Sequence, residues 1–334
     1  MIITVTPNPS LDRTLAIDRL QRGEVLRSHT RRVEPGGKGI NVARALHAHG
    51  HEVLAVMPCG GGEGEQLVGL MTAEGLTPVI VPITDHVRAN VTIVEPDGTV
   101  TKVNEPGPTL DEDEIERLLA TVAGGHGATW VVGSGSLPPG CPTDLFAAMT
   151  ERAHQGGSRV VIDSSGVPLA AALEAHPDLV KPNLEELAEV TGRPVRTIGE
   201  AIRAAQAVRT RGVETVLASL GADGALLVDG AGALHAHLEV AAPRSSVGAG
   251  DATLAGYLTA VDAGRETALR VAVAFGAAAV GLPGSQMPRP PDVRPGLVEV
   301  ADPHDLDRVL HSAPANVAGS PAVVTAPTAS IAPT

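Results

Sequence analysis

The sequence predicts an α/β fold, a mainly parallel sheet flanked by helices, with a small second sheet standing off the main one. Two observations predict the large sheet. Short apolar, β-branched runs recur at 53–57 (VLAVM), 130–134 (WVVGS), 159–163 (RVVID), 178–182 (DLVKP) and 215–219 (TVLAS). Each lies near an amphipathic stretch of helical length, as βα units require. Glycine-rich or polar turns follow several of these runs, at the strand ends where such sheets bind ligands. A third observation predicts the small sheet: NVTIVEPDGTVTKVN (90–104) reads as a hairpin about a Pro-Asp-Gly turn, and residues 15–33 look extended. It serves either as a lid over a ligand or as an edge extension.

Taken in chain order, MIITVTPNPS is a β-branched run closed by Pro-Asn-Pro, without the basic and long apolar regions of an export signal. EPGGKGINVARAL (34–46) is a glycine turn that opens a helix, with Asn41 in its first turn. A Walker A loop is excluded, because Arg32 and Gly39 stand where that loop needs Gly and Ser or Thr. A lysine and an amide beside free helix-end N–H groups suit a polyhydroxylated or phosphorylated ligand. His47, His49 and His51 are read as surface residues, since residues two apart on a helix point away from each other. In KPNLEE, Pro182 and Asn183 form a helix entry, and Asn183 with Glu186 could hold a hydrated Mg²⁺. SLGADGALLV (219–228) reads as a turn before a hairpin. In SSVGAGDATLAGYL (245–258), Gly248, Ala249 and Gly250 run into Asp251 at a helix start. That acid is either an N-cap or a general base beside an anion hole. The final 22 residues, APANVAGSPAVVTAPTASIAPT, carry no charge and no period, and a disordered tail is expected over 313–334.

Composition narrows the function. The 334 residues suffice for one large α/β domain or two ordinary ones. A net charge of -13 and 1% aromatic content argue against nucleic acid. Any phosphate must meet a few placed cations, and an adenine pocket must be aliphatic. Only Lys38, Lys102 and Lys181 are lysines, each in a glycine- or proline-punctuated stretch. Cys59 and Cys141 form neither a disulfide framework nor a zinc cage, which fits a reducing cytoplasm, and no segment suits a membrane span.

PNPSLD, PGGKGIN, GSLPPG (135–140), KPNLEE, SLGADGAL and SVGAGD occur here in the order found in one family. Over residues 1–312 the chain resembles the pfkB-type carbohydrate kinases of the ribokinase-like fold. NPSLD, PGGKGIN and TKVNEPGP are most similar to its bacterial 1-phosphofructokinase branch. The resemblance implies one kinase domain over 1–312, with a β-lid from about 12–35 and 86–105 that serves as a homodimer clasp. It implies ATP and Mg²⁺ as cofactors and fructose 1-phosphate as substrate, with fructose 6-phosphate or tagatose 6-phosphate as alternatives. A catalytically silent sugar-phosphate sensor is the alternative of another class. Asp251 would be the base, and Gly248, Ala249 and Gly250 the anion hole. Asp12, Gly37 and Asn41 would bind the sugar, and Lys38, Arg88 and Lys102 its phosphate, with Arg27 a further cation. Lys181, Asn183, Ser219, Gly221 and Gly224 would bind the nucleotide, and Glu186 would organise Mg²⁺ through water. Ala252 stands where the family commonly has Ser.

Overall fold

The computed structural model describes residues 1–123 and 127–311. The expected tail, 313–334, lies outside the described residues. In chain order the first half comprises β1 (Ile2–Val5), β2 (Ser10–Ala16), β3 (Thr30–Gly36), α1 (Lys38–Ala48), β4 (Val53–Cys59), α2 (Gly61–Ala73), β5 (Val79–Pro82), β6 (Arg88–Val94), β7 (Val100–Asn104), α3 (Glu112–Ala123) and β8 (Trp130–Ser134). Next come α4 (Leu145–Gln155), β9 (Arg159–Asp163), α5 (Gly166–Ala172), β10 (Leu179–Val180), α6 (Leu184–Thr191), α7 (Ile198–Arg209) and β11 (Thr215–Ser219). The chain continues through β12 (Ala225–Asp229), β13 (Gly232–His237), α8 (Ala249–Ala260), α9 (Arg265–Val280) and β14 (Glu299–Ala301).

A ten-stranded sheet has the order β14-β13-β12-β11-β10-β9-β8-β1-β4-β5. Strands from β5 across to β11 are parallel, and the β12, β13 and β14 edge is antiparallel. WVVGS and RVVID coincide with β8 and β9, and WVVGS is buried throughout, because a parallel sheet is covered on both faces. One apolar cluster packs residues of α1, α2, α8 and α9 on the sheet, and a second packs α3 to α7 on the other face. Trp130 opens β8, and the Arg159 guanidinium lies 4.0 Å over its ring.

The chain leaves β1 first toward β4 and β5, then returns to build β8 to β11 on the other side. That reversal places a crevice at the carboxyl ends of the strands. The hairpin and the extended segment join as a separate sheet, β3-β2-β6-β7, in which Asp12 pairs with Asn90 and Asn90 with Asn104. Leu11 is fully buried in the core, so this sheet is anchored at its base.

One histidine departs from the surface reading. His49 caps α1, its Nδ1 lies 2.9 Å from the Ala45 carbonyl, and its ring sits 4.2 Å from Phe275. Contact with Phe275 of α9 draws the ring inward. Among the described residues no helix is long and apolar enough to cross a membrane.

Candidate active site

The first turn of α8 anchors the site. Gly248 is the N-cap at φ 76°, a left-handed conformation that calls for glycine. Asp251 is therefore not the cap but the third helical residue. It is buried, and its Oδ2 accepts a hydrogen bond from Asn41 Nδ2 at 2.9 Å. Burial, then the nearby charge of Asp163, raises its pKa to about 6; the Asn41 amide, Lys38 and Lys181 hold it from going higher.

Asp163, which sequence patterns alone did not single out, ends β9 and is fully buried. Its Oδ1 accepts from Lys38 Nζ at 2.9 Å, while Lys181 Nζ lies 3.2 Å from Oδ2, close enough for an ion pair but poorly aligned for a hydrogen bond. Burial works against the ionised form, but Lys181 and Lys38 outweigh it and lower the Asp163 pKa. Burial likewise works against the Lys38 ammonium, yet Asp163, Glu186 and Asp251 raise its pKa above the usual range. Lys38 thus faces two carboxylates, with Glu186 Oε1 at 3.6 Å, rather than standing free beside Arg88 and Lys102.

Asn183 and Glu186 form a reciprocal capping box on α6: Asn183 Oδ1 accepts from the Glu186 amide at 2.9 Å, and Glu186 Oε2 from the Asn183 amide at 2.8 Å. The Asn183 side chain is thereby engaged in the cap, and Glu186 Oε1 is the oxygen of the pair not used by the box. No group of three or more His, Cys, Asp or Glu residues among the described residues could hold a metal directly.

A cavity of about 670 Å³ adjoins this centre. Asn183, Ser219, Gly221, Gly224, Ala249 and Gly250 line it, so residues from three separated motifs meet there. Its far wall is aliphatic, with Leu238, Val240, Pro243, Val273, Ala277 and Val280, and no Phe, Tyr or Trp lines it. At Gly224, with φ 87°, a Cβ would lie 2.0 Å from the Ala236 carbonyl oxygen, so β13 can approach only a glycine. The preceding Asp223 is buried and holds the end of the described chain through the His311 amide at 2.7 Å and Arg308 Nη1 at 3.3 Å. A Cβ on Gly250 would sit 3.2 Å from Lys181 Nζ, which locates the cavity beside the lysine-carboxylate centre.

On the small sheet, Asp12 Oδ1 accepts from Ser10 Oγ at 2.7 Å and Asn90 Nδ2 at 3.0 Å. Arg88 donates from Nη1 to the Glu105 carbonyl and from Nη2 to the Asn8 carbonyl, both at 3.1 Å, and burial lowers its pKa. Asn8 Oδ1, Asn90 Oδ1 and Arg88 Nε are buried without a hydrogen-bond partner. Buried polar atoms are rarely left so, and Asn90 also donates to Asp12. Gly37 precedes α1 at φ 120°. Lys102 is exposed on β7, paired across the sheet with Thr92, and Arg27 is exposed in the irregular segment between β2 and β3. Asn8 was present in the quoted PNPSLD without being assigned; Asn90 and Asp163 had no spacing signal at all.

Comparison with known proteins gives a family match, pfkB family carbohydrate kinase, over residues 6–292. The chain is 38% identical over 296 residues to the 1-phosphofructokinase of Haloferax volcanii, covering 88% of this chain and 95% of that protein. It is 36% identical over 292 residues to the ATP-dependent 6-phosphofructokinase isozyme 2 of Escherichia coli, covering 86% and 94%. The crystal structure of phosphofructokinase-2 from Escherichia coli in complex with potassium superposes with a TM-score of 0.83 at 35% identity, covering 87% of this chain and 96% of that one. The expected ribokinase-like arrangement is thus found, and kinases of this family use ATP. Sequence match and fold agree that this chain belongs to the pfkB family of carbohydrate kinases, enzymes that transfer a phosphoryl group to a sugar.

Proposed function

We propose that this kinase converts fructose 1-phosphate and ATP to fructose 1,6-bisphosphate and ADP. The observation that carries the chemistry is Asp251, a buried carboxylate in the first turn of α8 with a pKa raised to about 6, between the cavity and Asn41. In this reading Asp251 takes the proton from the sugar's 6-hydroxyl as that oxygen attacks the γ-phosphorus. The bond from the γ-phosphorus to the β–γ bridging oxygen breaks, and ADP leaves. Little covalent help is needed; alignment and charge neutralisation are.

The amides of Gly248, Ala249 and Gly250 face the moving phosphoryl group, supplemented by Lys181 and by Lys38. The cavity takes the nucleotide, with adenine against the aliphatic wall and Asn183, Ser219, Gly221 and Gly224 around the remainder. Magnesium would supply neutralisation of phosphate charge, and Glu186 Oε1, beside Lys38, would hold it through a water. On the lid side Asp12, Gly37 and Asn41 hold the sugar, and Arg88 and Lys102 its phosphate. The unpaired Asn8, Asn90 and Arg88 atoms supply further hydrogen bonds. Exposed Val100 and Val103 on β7 suit a lid-to-lid homodimer of a kinase domain spanning 1–312.

The choice of fructose 1-phosphate rests on NPSLD, PGGKGIN and TKVNEPGP and on relatives such as the Haloferax volcanii enzyme. A coupled ADP-release assay over fructose 1-phosphate, fructose 6-phosphate, tagatose 6-phosphate and free fructose tests it. Fructose 1-phosphate should give the highest kcat/KM. A win for fructose 6-phosphate would replace the regiochemistry, and no ADP release with any sugar would favour the silent sensor.

Arg88→Ala, measured in the same assay, should raise KM for fructose 1-phosphate by roughly ten- to a hundred-fold and change KM for ATP little, as loss of a charge-assisted bond in a closed site implies. Weakening of ATP alone would remove Arg88 from the sugar-phosphate side.

A further inference from the structure

Arg44 is a charged residue on the wrong face. Every residue of α1 from Gly39 to Leu46 is buried, and Arg44 sits among them with its side chain 5% exposed. A salt bridge alone does not require such a position. Its outer edge makes one: Nε and Nη2 donate to the two Glu74 oxygens at 2.7 and 2.8 Å, from the carboxylate at the end of α2. Its inner nitrogen does something else. Nη1 donates to Asn41 Oδ1 at 3.3 Å and to the Ser285 carbonyl at 3.1 Å. Asn41 and Arg44, three apart, share a helix face.

An amide has two ends, and only one is useful to a carboxylate. Asn41 Nδ2 donates to Asp251 Oδ2; turned over, the amide would set Oδ1 against that carboxylate, oxygen to oxygen. Arginine has no acceptor, so whatever it touches on Asn41 must be oxygen. We propose that Arg44 is a positioning residue: clamped bidentately by Glu74, it locks the Asn41 amide so that Nδ2, and never Oδ1, faces Asp251. The chain Glu74–Arg44–Asn41–Asp251 then runs from the rim of the molecule to the reacting atoms through donors and acceptors whose direction is fixed. This rests on the reading of Asp251 as the base.

The charged groups around Asp251 are Lys38 on α1, Asp163 at the end of β9 and Lys181 after β10. None of them is altered by removing Arg44, so a change at Asp251 in that variant reports the amide. A donor to the ionised form favours it, so losing the donor raises the Asp251 pKa.

Two readouts test the clamp: ¹³C-carboxyl NMR titration of Asp251, assigned with Asp251→Asn, and the pH profile of kcat/KM. In Arg44→Met the Asp251 titration should move upward by about one unit. At pH 8, kcat should fall roughly ten- to a hundred-fold with KM for ATP within about twofold of wild type. Arg44→Lys should recover part of both. In an Asn41→Ala background, Arg44→Met should add no further shift, since it acts through that amide.

An Asp251 titration unchanged in Arg44→Met, or shifted as far without Asn41 as with it, overturns the proposal and leaves Arg44 a purely structural tie. If Arg44→Met does not fold, Glu74→Gln carries the same test, with a smaller upward shift expected and no shift overturning it. If the carboxyl titration moves as stated while the kcat/KM profile ignores it, the clamp stands and the assignment of Asp251 as base fails.

Discussion

Asp251→Ala should lower kcat by about 10²–10⁴-fold, the usual contribution of a general base, while KM for ATP and for the sugar phosphate stays near wild type. The side chain is buried, its one side-chain hydrogen bond comes from the Asn41 amide, and it does not line the cavity, so its removal leaves the cavity walls intact. In the wild-type enzyme kcat/KM should fall as pH drops below about 6, because the protonated acid has no lone capacity to take the sugar's proton. The same shift acts on stability with a defined sign. The folded pKa is above the ordinary 3.8, so the stabilising effect is complete below that value and is lost as pH rises through about 6. Near wild-type turnover in the coupled ADP assay would sink the assignment.

The second large effect is expected at Asp163. Asp163→Ala leaves Lys181, whose side chain is 4% exposed, without its carboxylate, and removes one of two anions from Lys38. Breaking a buried pair by deleting one partner costs about 3–5 kcal/mol, which a urea unfolding curve resolves. Asp163 has a depressed pKa, so its own stabilisation is present above pH 3.8 and is lost as pH falls through the folded value. The variant should accordingly lose part of the wild type's stability difference between neutral and acid pH. It should also lower the Asp251 pKa, since the Asp163 charge is the second cause of its elevation. A variant as stable as wild type at pH 7 would show that Lys181 finds another anion.

What sequence alone made legible has a physical pattern. WVVGS, RVVID and TVLAS appear as strands because a buried parallel strand must be apolar along its whole length, which is a local signal. DLVKP shortens to Leu179–Val180, with pairing to the next strand resumed past Pro182 only as a single bridge between Asn183 and Ser219. The hairpin was visible in its Pro-Asp-Gly turn, and the α6 cap in the spacing of Asn183 and Glu186. Asp163 had no such signature. Its importance arises only when β8, β9 and β10 align in parallel and set its carboxylate between lysines that lie 125 positions before it (Lys38) and 18 after it (Lys181). The resemblance groups Lys38 with Arg88 and Lys102; the carboxylates that hold it come from β9 and α6, distant in sequence. Arg44 had no signal either, because nothing in INVARAL tells which face turns inward.

The position of Trp130 governs how this protein can be watched. It is the only tryptophan, buried at the first residue of β8, while Ser134 ends that strand on the carboxyl side of the sheet. At about 3.3 Å per residue, roughly 13 Å of strand separates the indole from that end. Its emission is set by the Arg159 cation over the ring and by Ile2 beside it in the sheet. Intrinsic fluorescence therefore reads the integrity of the amino-terminal ends of the central strands and is silent to nucleotide filling an aliphatic cavity. A light signal for ligand binding has to be installed, and the wall formed by Val273, Ala277 and Val280 is the place for it.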